Sequence, residues 1–338
     1  MNDAADSATR VAASFADAHR VRRGEIAFWL LALAAFVALP RQALIGNEIA
    51  ILALFALSLD LILGYAGIVS LGHAAFFGLG AYAAGLFARH VSGDPLTGLA
   101  VGAGVATAAG FATSFLVLRG TDLTRLMVTL GVALLLAEIA NKAASITGGA
   151  DGLQGVVMKP LLGHFAFDLS GRTAFAYSLA VLFLLFVVAR RIVHSPFGMS
   201  LRAIRDNPLR AAAIGIPVRR RLVAIYTIAA AYAGVAGALL AQTTQYVSLD
   251  VLAFDRSVDV LLVLVIGGTG WLYGGLVGAL VFKIAQEVFS SLTPQYWHFW
   301  VGLVLVVLVL IGRERMSIGR SVLAGWIARR ARGVGRST

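Results

Sequence analysis

The chain contains no cysteine, which excludes disulfides, thiolate metal sites and a cysteine nucleophile. Charge is scarce: 13% of its 338 residues are Asp, Glu, Lys or Arg, against roughly 25% in a soluble domain. A surface made from so few charges cannot face water throughout. Lysine is rarer still, with only Lys142, Lys159 and Lys283. None of them follows a GxxxxGK[ST] spacing, which excludes a P-loop nucleotide site in this chain. The histidines, His19, His73, His90, His164, His194 and His298, are scattered. A membrane enzyme would need them gathered with acids at one depth.

Long apolar runs fill the space that charge leaves. The chain is 59% hydrophobic and its mean hydropathy is +0.86. Runs of about 20 apolar residues span a bilayer as helices, whereas barrel strands would alternate over ~10 residues. The expectation is an all-α polytopic membrane protein. Spans are read at 26–39, two within 49–88 with a break near Gly64–Gly67, then 97–118, 126–141, 173–189, 222–242, 258–268, 272–289 and 297–311. This gives about ten transmembrane helices. Several are shorter than ~17 residues, which suits broken or re-entrant helices.

The net charge of +11 is distributed by topology, not as a nucleic-acid footprint. Arginine concentrates in the 1–25 tail, in the 190–221 loop and in the 313–338 tail, with a smaller cluster at Arg119 and Arg125. Cationic segments are retained in the cytoplasm. Both tails and the 190–221 loop are therefore assigned inside, flanking a membrane domain over 26–312.

The 190–221 loop carries eight Arg and one acid, Asp206. It holds a short helix with a stop at each end. Asn207 suits an N-cap, and Pro208 sits where a missing N–H costs nothing. Gly215 suits the position past the end, and Pro217 blocks continuation. A capped helix of this kind, mixing apolar residues with Arg210, is a natural docking element.

Two glycine-rich apolar stretches stand out, Gly64–Gly85 and Ile266–Gly275. Small residues permit close helix approach in lipid, so tight packing and a broken, pathway-lining helix both remain open. On the second reading Gly64, Gly67, His73, Gly267, Gly268 and Gly270 would line a translocation path. Asp60, Glu138, Asp259, Lys283 and Glu287 fall at membrane depth, with Lys283 and Glu287 spaced to pair on one helix face. The 147–156 loop, TGGADGLQGV, reads as an outside surface for a partner. Tyr296, Trp297, Phe299 and Trp300 read as an interfacial belt.

The segments GYAGIVSLGHAAFFGLGAYAAG, RLMVTLGVALLLAE, TGGADGLQGV, SPFGMSLRAIRDNPLRAAAIGIPVRR and VLLVLVIGGTGWLYGGLVGAL occur in one order. In that order they resemble the M-type permease of branched-chain amino acid (LIV-type) ABC transporters, over about residues 45–315. The segment Gln245–Val260 departs from the SPExF-type pattern of typical members. The resemblance implies an ABC importer permease fold in the bacterial inner membrane, with no chemistry and no cofactor in this chain. ATP would be used by two cytoplasmic ATP-binding subunits. A second homologous permease and a periplasmic substrate-binding protein would complete the assembly. Arg202, Arg205, Asp206, Asn207, Pro208 and Gly215 match the ATPase-contacting segment. The cargo would be a branched-chain amino acid, urea, an amide or an aromatic acid. The rival class is an ion-coupled secondary transporter or channel.

Overall fold

A computed structural model describes residues 23–306, apart from Leu39, Thr121, Leu169, Thr293, Trp297, His298, Val301, Val304 and Leu305. Most of both tails, and most of the apolar run at 297–311, lie outside the described residues. The regular structure of the described residues is helical, with isolated bridges Leu153–Val247 and Leu161–Phe165 and no extended strand.

The long helices are α1 (Arg23–Ala38), α2 (Ala43–Leu63), α3 (Ala74–His90), α4 (Pro95–Val117) and α5 (Asp122–Lys142). A short α6 (Ala144–Thr147) precedes α7 (Arg172–Val193). Next come α8 (Pro196–Asp206), α9 (Pro208–Ala213), α10 (Val218–Thr244), α11 (Phe254–Gly267) and α12 (Leu272–Leu292). Among the described residues six helical segments are long and apolar enough to cross a membrane. Helix α1 has 16 residues, α3 has 17 and α11 has 14.

Helices α2 and α10 form the centre, each with 72% of its span buried. Helices α3 and α4 wrap α10, while α7 and α11 pack on α2. The packing device is a period-four stripe of small residues. Gly98, Gly102, Ala106, Gly110 and Ser114 run along one face of α4, all buried. They meet Ala230, Gly234, Ala238 and Gln242 of α10. A Cβ on Gly102 would stand 2.8 Å from the Gly80 carbonyl oxygen and 2.8 Å from Ala238 Cβ, so three helices cross there nearly backbone to backbone. Lipid supplies no hydrophobic drive for helix association, so close van der Waals contact has to supply it.

Polar side chains fix the end of the bundle away from the arginine-rich segment. Tyr177 donates to Gln242 Oε1 at 3.0 Å, and Gln242 Nε2 donates to the Pro95 carbonyl at 2.8 Å. Ser178 donates to Asn47 Oδ1 at 2.6 Å, and Asn47 donates to Thr243 at 3.1 Å. This set ties α2, α4, α7 and α10 together. Gln242→Leu should destabilise the detergent-solubilised protein by about 1–3 kcal/mol, because it strands buried partners. A denaturation curve matching wild type would refute that.

Three helices begin where a capping residue precedes proline. Asp94 Oδ2 accepts from Thr97 N at 3.0 Å before Pro95, and Ser195 and Asn207 cap in the same way before Pro196 and Pro208. Proline at the first position loses no helical bond. The chain divides at Leu280 into two compact units. In the unit from Val281 onward, Lys283 Nζ donates to Gln286 Oε1 at 3.0 Å, and the Phe289 and Trp300 rings stack at 6.4 Å.

Candidate functional site

The arginine-rich segment is mostly helical. Helix α7 runs on through Arg190 and Arg191 to Val193, and α10 begins at Val218. Between them stand two helices where the sequence indicated one. Helix α8 is amphipathic: Gly198, Ser200, Leu201 and Ile204 are buried. Sequence reasoning passed over its start, although Ser195–Pro196 carries the same capping signal as Asn207–Pro208.

Helix α9 has the expected ends. Asn207 Oδ1 accepts from Arg210 N at 2.9 Å. At the far end Gly215 N donates to the Ala212 carbonyl at 3.0 Å, and Ile216 N to the Ala211 carbonyl at 3.1 Å. That pair of bonds is a Schellman motif, and the left-handed φ of +88° at Gly215 is what it requires. Of the six residues in α9 only Ala211 is buried. Leu209 is 83% exposed and Ile214 is 70% exposed.

Helix α8 is tied to the first glycine-rich stretch and lies beside the second. Arg205 Nη1 donates to the Gly64 carbonyl oxygen at the end of α2. Gly67 leaves room for that arginine, since a Cβ there would stand 2.8 Å from Arg205 Cγ. The Arg202 guanidinium lies 5.2 Å over the Tyr65 ring. Burial pushes the Tyr65 phenol up, the Asp60 carboxylate adds to this and Arg202 opposes it, so Tyr65 stays neutral and offers Arg202 a π face. Asp60, buried in α2, accepts from Gly270 N at 2.7 Å in the turn between α11 and α12. Gly270 takes a φ of +76° there. Asp206 points outward and meets Arg205 Nη2 at 3.5 Å, an exposed contact of little energetic weight.

The sequence-selected residues therefore fall into three places. Arg202, Arg205, Gly64, Gly67 and Gly270 converge on one locus. Asp206, Asn207, Pro208 and Gly215 form the exposed edge beside it. Gly267 and Gly268 belong to the α11–α12 hairpin, where a Cβ on Gly267 would stand 2.8 Å from Gly278 N. His73 lies apart, fully buried, with Nε2 2.8 Å from Ser58 Oγ and its ring stacked on Phe55. Among the acids at membrane depth, Glu138 pairs with Lys142 one turn on at 3.4 Å, on an exposed face. Asp60 and Tyr65 are the residues of this locus that sequence reasoning did not select. Asp60 carried a signal, an acid at membrane depth four positions before Gly64.

An all-helical core with spanning-length helices, joined by a capped cationic helical segment, has the architecture of a multi-pass membrane protein. A family profile described as "Branched-chain amino acid transport system / permease component" matches residues 43–311. The chain belongs to that family, the permeases of branched-chain amino acid type within ABC transport. The high-affinity branched-chain amino acid transport system permease protein LivM of Escherichia coli (strain K12) is 28% identical over 284 residues, covering 78% of this chain and 66% of that protein. The chain thus spans just under two thirds of that relative's length. LivH of the same strain is 25% identical over 284 residues, 79% of this chain and 91% of LivH. The fructose import permease protein FrcC of Rhizobium meliloti is 26% identical over 297 residues, 85% of this chain and 81% of FrcC. No solved structure matches this chain.

Proposed function

We propose that this chain is a membrane permease subunit of an ATP-driven importer for a branched-chain amino acid or a related small polar solute. It forms half of the translocation path, opposite a second homologous permease. A periplasmic binding protein delivers the solute, and two cytoplasmic ATP-binding subunits hydrolyse ATP. The spans number about ten, with both tails and the 190–221 segment in the cytoplasm, as the arginine distribution favours. The branched-chain reading of the cargo rests on the family and on LivM and LivH, set against the fructose permease in the same group.

The observation that carries the coupling role is the bond from Arg205 to Gly64. An exposed, apolar-tipped α9 adjoins α8, and α8 is anchored to the turn after α2. Asp60 anchors that same turn to Gly270 between α11 and α12. A push on α9 therefore has a rigid route to two points where helices break. Loop–helix junctions of this kind absorb the φ/ψ changes that alternating access demands. On this reading Gly64, Gly67 and Gly270 act as hinge points of the path, with Gly267 and Gly268 beside them. His73, the remaining path candidate, packs against Ser58 and Phe55 away from these hinge points.

The test replaces Arg205 with Gln and, separately, Gly215 with Val. Both variants should insert and assemble, and both should lose most ATP-driven uptake in proteoliposomes. Gly215→Val acts by forcing a β-branched residue into left-handed backbone. Wild-type uptake in both would sink the coupling role. Uptake that persists without ATP but collapses with a protonophore would replace the importer with an ion-coupled transporter.

A further inference from the structure

A cavity of about 780 Å³ lies away from the coupling locus, between α1 and α7. Aromatic side chains act as spacers between the two helices. Trp29 meets Phe183 at 4.8 Å and Phe186 at 5.3 Å edge to face, and Phe36 meets Phe175 at 5.5 Å. Rings touch while the backbones stay apart, so a crevice remains between them. Its walls are apolar except at one end.

At that end Glu25 and Arg190 pair at 3.1 Å, and Arg191 lies beside them on the exposed side. Two cations and one anion leave the mouth with net positive charge. Along α7 the lining reaches from Arg190 back to Ala176. The fourteen steps between them at ~1.5 Å each make about 21 Å of helix, and one leaflet of hydrocarbon is about 15 Å deep. The crevice is thus charged at the level where the arginine-rich segment begins, and apolar through a full leaflet. A small polar solute has no partners along such walls. An amphiphile with an anionic head and long acyl tails matches both ends.

We infer that the α1–α7 crevice is a binding site for an anionic phospholipid of the leaflet on the arginine-rich side. Its phosphodiester meets Arg191 beside the Glu25–Arg190 pair, and its acyl chains lie against Trp29, Leu33 and Phe183. The site is independent of the transport reading, because it rests on this chain's shape and charge alone.

The test uses the full chain in its assembled complex, purified from membranes in mild detergent, with native mass spectrometry and analysis of the retained lipids. Phosphatidylglycerol or cardiolipin should remain bound after washing that strips phosphatidylethanolamine. Ala180→Trp fills the crevice and should cut the retained anionic lipid more than tenfold. Leu184→Trp, on the exposed face of the same helix, should not. Arg191→Glu should lower the ratio of anionic to zwitterionic lipid. A photo-crosslinking amino acid at position 180, in an otherwise unaltered chain, should yield an adduct of phospholipid mass. An adduct with a neighbouring protein would overturn the inference in favour of a subunit interface. Lipid retention indifferent to headgroup charge or to Ala180→Trp would overturn it as well.

Discussion

Gly102→Leu should prevent a stable bundle from forming, while Gly104→Leu, two residues away on the same helix, should leave it intact. The contrast follows from what surrounds each position. A Cβ on Gly102 would stand 2.8 Å from a backbone oxygen of α3 and 2.8 Å from a methyl of α10, and neither can turn aside. Nothing lies within 4 Å of the Cβ position on Gly104. Overpacking in a well-filled core typically costs ~1–3 kcal/mol when side chains can shift. Backbone cannot shift locally, so the helices must separate along the whole stripe and lose the van der Waals contact that joins them in lipid. Gly234→Leu should behave like Gly102→Leu, because its Cβ would stand 2.9 Å from the Gly102 carbonyl oxygen. Thermal stability of the detergent-solubilised protein, read by fluorescence-detected size exclusion, checks all three. Equal stability for the 102 and 104 variants would show that α4 does not pack on this stripe.

The same contrast explains which parts of the protein could be read from its sequence. Local chemistry was legible. Asn207, Pro208, Gly215 and Pro217 announce both ends of α9 because capping depends on residues within one turn. The apolar runs likewise correspond to α1–α5, α7 and α10–α12, since burial in lipid acts on each segment by itself. Pairing was not legible. The period-four spacing of Gly98, Gly102, Ala106 and Gly110 is visible in the sequence, but its partner, Ala230 to Gln242 on α10, is fixed only when the helices dock. Arg205 and Gly64 are 141 positions apart, and Asp60 and Gly270 are 210 apart. No periodicity links residues at such distances. The sequence therefore offers both glycine-rich stretches as lining of one path without linking either to the arginine-rich segment. The fold joins Gly64, Gly67 and Gly270 to Arg202 and Arg205 in one locus and leaves His73 outside it.

Leu209→Glu combined with Ile214→Glu should leave a folded, membrane-inserted protein that no longer retains the ATP-binding subunits proposed for it. Both side chains, Leu209 in α9 and Ile214 just past its end, are exposed, so their loss removes little from the fold of the isolated chain. The caps that shape the helix are untouched: Asn207 still accepts from Arg210 N, and Ile216 N still reaches the Ala211 carbonyl. The effect must then fall on whatever covers α9. Fully burying a leucine or isoleucine side chain contributes about 1.5–3 kcal/mol, and each ~1.4 kcal/mol is tenfold in affinity. Two such losses amount to roughly a hundredfold or more, before the cost of burying two carboxylates is added. Arg210 sits between the altered positions and tests the electrostatic share. Arg210→Gln alone should weaken partner retention far less, and its effect should shrink further at high salt, because an exposed charge is screened. Co-purification of the ATP-binding subunits, together with ATP-driven uptake in proteoliposomes, reads both variants. Full retention by the double variant would move the docking surface off α9 and onto α8, where Arg202 and Arg205 would become contact residues and no longer only anchors.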